Sequence, residues 1–91
     1  MQLPKLKVLV EAGAVRKAEA LPDGDGWAVW IVHATRSGER REALERQRGG
    51  ARIFATLEAV ARCLAGAGLS TFQVSVASWP SAAAEPPWSA A

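Results

Sequence analysis

Histidine and cysteine are almost missing from this chain: its 91 residues include one of each, His33 and Cys63. A lone thiol excludes an intrachain disulfide and leaves no thiolate cluster for a structural zinc. A lone imidazole means that any Ser-His-Asp or Cys-His arrangement would have to pass through His33, and neither residue has a supporting neighbourhood in the sequence. No run of roughly 20 apolar residues occurs, so a bilayer-spanning helix is not expected. The opening Met1-Gln2-Leu3-Pro4-Lys5-Leu6-Lys7 lacks the basic, apolar and small-residue order of a secretory signal, and a cytoplasmic location is expected. Charge of one sign is scarce too. Eleven Lys and Arg against nine Asp and Glu leave a formal charge of +2, which neither demands nor excludes nucleic acid.

Cofactor motifs are equally thin. Asp23-Gly24-Asp25-Gly26 has the opening of a calcium loop, but the twelfth position from Asp23 is Ala34 where a bidentate Glu is required. Gly66 and Gly68 follow a helical pattern, whereas phosphate-binding glycines precede one. No cofactor, metal site or catalytic residue is expected.

What is present is about half apolar and falls in separated clusters, enough for one core in a domain of this length. Pro4 suits a first helical turn, Leu6, Leu9 and Val10 follow at i, i+3, i+4, and Gly13 supplies a stop, predicting a helix over about 4–12. Ala14 to Leu21 reads as a half-exposed strand, 22–26 as a turn, and Trp27-Ala28-Val29-Trp30-Ile31-Val32 as a central strand apolar on both faces. The stretch 35–50 offers only Ala43 and Leu44 for burial. It is therefore read as a turn at Ser37-Gly38, a strand over about 41–48, a turn at Gly49-Gly50 and a short returning strand at Arg52-Ile53-Phe54. Thr56 is a good N-cap, and Leu57, Val60, Ala61 and Leu64 recur at helical spacing until the glycines at 66 and 68. Phe72, Val74 and Val76 alternate with Thr71, Gln73 and Ser75 as a strand with one face on the core. The expected fold is a small α+β domain in the order αβββαβ over residues 1–78, mostly antiparallel, with both helices on one face of the sheet. A flexible Ala/Pro-rich tail is expected over 79–91.

Two features invite a binding role. The segment Arg36 to Arg52 holds six arginines against Glu39, Glu42 and Glu45, and Arg40, Arg41, Arg46, Arg48 and Arg52 are its candidate phosphate contacts. The interleaved glutamates favour a solvated strand with cross-strand ion pairs instead. The αβββα order also invites comparison with double-stranded-RNA-binding domains, but the second helix opens Thr56-Leu57-Glu58, with an acid where lysines should stand. Trp27 and Trp30 have odd spacing, so a strand sends them to opposite faces. With Ile31 they form a candidate protein interface, a homodimer contact included.

The stretch Arg48-Gly49-Gly50-Ala51-Arg52-Ile53-Phe54-Ala55-Thr56-Leu57-Glu58-Ala59-Val60-Ala61-Arg62, continued through Gly68-Leu69 to Phe72-Gln73-Val74, resembles the short ParC-type partition-associated proteins of bacterial plasmids and integrative elements. Leu9-Val10-Glu11-Ala12-Gly13-Ala14-Val15 and Gly24-Asp25-Gly26-Trp27 share the likeness, which spans about residues 5–77. The resemblance implies an accessory role in DNA segregation beside a ParA-like ATPase and a ParB-like DNA-binding protein. It carries over no catalytic residue. A non-catalytic interaction module is therefore the leading expectation, direct nucleic-acid binding through Arg36–Arg52 the alternative, and an enzyme the least supported reading.

Overall fold

The computed structural model describes residues 1–76, so the expected tail lies outside the described residues. Helix α1 (Leu3–Glu11) leads into β1 (Val15–Asp23), β2 (Gly26–Thr35) and β3 (Gly38–Ala43); β4 (Ile53–Phe54), helix α2 (Leu57–Gly66) and β5 (Gln73–Val74) follow. This is the expected α+β domain with a mostly antiparallel sheet.

Local chemistry sets the helix ends. Pro4 sits in the first turn of α1. The Thr56 hydroxyl accepts a hydrogen bond from the Ala59 amide at 3.1 Å, capping α2. Both helices close in the same way: Ala14 N–H donates to Leu9 O and Gly13 N–H to Val10 O, while Leu69 N–H donates to Leu64 O and Gly68 N–H to Ala65 O. Gly13 at φ 68° and Gly68 at φ 98° supply the left-handed residue this closure needs. Gly66, expected to help stop α2, is its last helical residue instead.

Strand β2 is paired on both edges. On one side β1 runs antiparallel to it, from Asp23↔Gly26 to Val15↔His33, with an irregularity between Val15 and Lys17. On the other side β3 pairs with its far half, Trp30↔Ala43 to Thr35↔Gly38. β4 pairs with the near half, Trp27↔Phe54 and Ala28↔Ile53. Two strands can share one edge because the chain leaves the sheet at Leu44, whose side chain enters the core, and returns through a small hairpin. That hairpin is fastened by the Glu45↔Ala51 bridge and by the Arg46 amide donating to Gly50 O. The strand expected over 41–48 is thus displaced to Gly38–Ala43, beginning directly after the turn.

Alternation along β2 sends Trp27, Val29, Ile31 and His33 to one face, where Ala18 and Ala20 of β1 stand opposite Ile31 and Val29. Leu6 of α1 and Val60 and Leu64 of α2 complete this core, which places both helices on that face. Burial of each such side chain contributes about 1.5–3 kcal/mol. The last strand is shorter than expected. Only Gln73 and Val74 pair, in parallel, with β1, and Val74 and Val76 are 41% and 60% exposed while Phe72 alone packs on the core.

Gly26 lies where β4 crosses β2. A Cβ there would stand 2.5 Å from the Phe54 carbonyl oxygen and 2.6 Å from Ile53 Cγ2, and backbone cannot yield as a flexible side chain does. Gly26→Ala is expected to cost about 1–3 kcal/mol in urea unfolding. Gly66→Ala, with open space around its Cβ, should leave stability unchanged or raise it by up to about 1 kcal/mol. Equal stabilities for the two variants would contradict the tight crossing.

Candidate functional site

His33, 4% exposed, is enclosed beneath the sheet. Its Nε2–H donates to Glu42 Oε2 at 2.5 Å, since an ionised carboxylate can only accept. Lys5 of α1 donates to the same oxygen at 3.1 Å, and the Met1 ammonium stands 3.9 Å from the other. The hydrogen bond from His33 is the main reason that the Glu42 carboxyl is lowered to about 2, with Lys5 and the ammonium adding to it against the opposing effect of burial. The Met1 ammonium also donates to the Ala43 carbonyl at 2.5 Å and meets Glu45 at 2.8 Å. This network ties the first residues and α1 to β3. His33 is therefore engaged in a structural contact. Cys63 lies on α2, far along the chain from His33, and is partly buried. Among the described residues no group of three or more His, Cys, Asp or Glu could hold a metal ion.

The five candidate arginines do not gather on one surface. Arg40 and Arg41 are neighbours on β3 and therefore face opposite ways. Arg41 lies over the Trp30 ring at 4.1 Å and approaches Glu19 at 4.0 Å. Arg40 stands 3.9 Å from Glu42 on the helix side. Arg46 and Arg48 belong to the hairpin between β3 and β4, where Arg46 packs against Gly50. Arg52 lies over the Phe54 ring at 4.9 Å.

The three candidate interface residues also divide. Trp27 and Ile31 are in the core. Trp30 points to the other side of the sheet, where neither α1 nor α2 packs. There it is joined by Leu21, Ala28, Val32, Ala43 and Ile53, all placed on that side by the pairings of β1, β3 and β4 with β2. The strip is flanked by Lys17 and Arg41 and by Glu19 and Glu39, with Asp23 at the hairpin end. Ile53 is 46% exposed, and Trp30, Val32 and Leu21 are partly so. Leu21, Ala28, Val32, Ala43 and Ile53 were not among the residues predicted from sequence. The signal was present in β2, whose even positions are as apolar as its odd ones.

A sheet with both helices on one face matches the architecture expected from the residue pattern, and a family model confirms the likeness noted above: the ParC-like model matches residues 2–82. The chain belongs to the ParC-like family. Membership relates it to partition-type proteins. No curated protein and no solved structure matches the chain. In this ParC-like domain, no helix among the described residues is long and apolar enough to cross a membrane.

The Glu42 network gives the ParC-like fold a defined acid response. Because the carboxyl binds its proton more readily in the unfolded chain, the stabilisation is complete above about pH 4.5 and is lost as pH falls toward about 2. A shift of that size corresponds to at most roughly 3 kcal/mol. Glu42→Gln is expected to be less stable at pH 7 and to lose less on acidification. Urea midpoints for the two proteins should converge by pH 2, and curves that stay parallel from pH 7 to 2 would show that the carboxylate contributes nothing.

Proposed function

We propose that this chain is a non-catalytic accessory protein of plasmid or mobile-element partition that works in the cytoplasm by protein–protein contact through the open face of its sheet. The observation that carries the reading is the apolar strip of Leu21, Trp30, Val32, Ala43 and Ile53 around the buried Ala28, which no described residue covers in a domain whose other sheet face packs on the core. Membership of the ParC-like family supports the partition setting and makes ParA-like or ParB-like proteins the partners to try first.

A second copy of the chain is the simplest cover for this strip. A two-fold contact lays a patch on itself, so a patch dominated by one sign of charge repels its copy. Here Lys17 and Arg41 stand among Glu19, Glu39 and Asp23, so the border carries both signs. Trp30, with its ring held by Arg41, supplies a large and pre-ordered contact near the middle of the strip.

Light scattering over a concentration series is expected to show a dimer. Trp30→Ala should weaken it by about 2 kcal/mol or roughly thirty-fold, and Ile53→Asp should do likewise with the circular dichroism spectrum unchanged. A monomer at millimolar concentration that also fails to bind purified ParA-like and ParB-like proteins would sink the reading.

A further inference from the structure

On the helix side, a second surface is built by different residues. A groove of about 610 Å³ runs between α1 and α2 above β4. Leu3, Phe54, Ala59 and Gly66 give it apolar walls, and the small side chains on α2 keep it open. Lys7, Arg52 and Arg62 stand around it. Arg62 is paired with Glu58 one turn away at 2.7 Å, an ordinary helix-surface ion pair. Among the described residues, Lys7 and Arg52 form no ion pair with a carboxylate. Arg52 is positioned over the Phe54 ring, and a guanidinium donates in its own plane, so this contact leaves its donors available.

We propose that this groove binds a short peptide segment of a partner protein that alternates carboxylates with apolar side chains. The apolar walls favour side chains that gain by leaving water, and two cations without carboxylate partners at the rim attract negative charge beside them. A nucleic-acid backbone fits less well, because its phosphates and sugars offer no apolar side chains to set against Leu3, Phe54 and Ala59. The inference does not depend on the open-face reading, since the two surfaces share no residue.

Fluorescence anisotropy with a labelled hexapeptide alternating glutamate and leucine tests it on the full chain. Its lysine–leucine counterpart and a labelled DNA duplex serve as comparisons. The acidic peptide should bind, weaken with added salt, and shift amide NMR signals around Lys7, Arg52 and Cys63. A Lys7→Glu/Arg52→Glu variant should bind at least about ten-fold more weakly. Gly66→Leu, at a groove-lining position where an added Cβ meets no atom within 4 Å, should block binding while melting no lower than the wild type. Any one of four results overturns the proposal: no acidic-peptide binding, equal binding of the basic peptide, duplex DNA shifting the same signals, or a nuclear Overhauser contact between the Trp88 indole and the Phe54 ring, which would make the chain's own C-terminal segment the occupant.

Discussion

Everything in this domain hangs on the register of β2. It is a ten-residue strand paired along most of both edges, with β1 on one and β3 and β4 on the other. Side chains of a strand alternate strictly, so a slip of one residue would send Trp27, Val29 and Ile31 out of the core and bring Trp30 and Val32 in. In most half-exposed strands polarity alone forbids that slip. Here both sets are apolar, and the register must be held by something else. Two features hold it: the close crossing at Gly26, which admits no side chain against β4, and His33, whose imidazole finds Glu42 only when it faces the helices.

That polar pair shows how a small core accommodates a carboxylate. Glu42 is opposite Ile31 in the β2–β3 ladder and so points toward the helices, where an unpartnered carboxylate would be costly. His33, Lys5 and the Met1 ammonium converge on it from β2, α1 and the first residue. A first helix that lacks a side-chain N-cap and contributes Leu6 as its fully buried residue needs such attachment. The Glu45 amide donating to Met1 O and the Gln2 side chain donating to Gln47 O continue it along the same edge.

The features legible in the sequence were those decided by neighbours along the chain. Pro4, Gly13, Thr56 and Gly68 marked the helix ends because caps and stops are made from residues within a turn. The β1–β2 hairpin was legible from its turn residues, and the odd spacing of Trp27 and Trp30 did place them on opposite faces. Which face belongs to the helices was not local information, so Trp27 and Ile31 were grouped with Trp30 although they lie in the core. The third strand was placed too late because its helix-favouring residues hid a ladder that starts directly after the turn, as Thr35↔Gly38 shows. The last strand was overread because alternation in 71–76 records which residues suit a sheet, not how many find an edge. The His33–Glu42 contact needed the hairpin register, after which an inward Glu42 is apparent.

The arginines illustrate the same limit for function. In sequence Arg40, Arg41, Arg46, Arg48 and Arg52 form a single basic segment, yet a strand, a hairpin and a returning strand distribute them over both faces of the sheet. Two of them, Arg41 and Arg52, lie instead over aromatic rings. What the fold creates in place of one basic surface is two surfaces of different character. One is an apolar strip bordered by charges of both signs, and the other a groove with cations around it. The two-residue strand β4 serves both, with Ile53 on the strip and Phe54 in the groove. Its position depends on its short ladder with β2 and on the missing side chain at Gly26. A domain with so little depth can present separate binding surfaces on its two sides only if the thin layer between them is fixed, and the absence of a Cβ at one crossing is what allows β4 to sit that close.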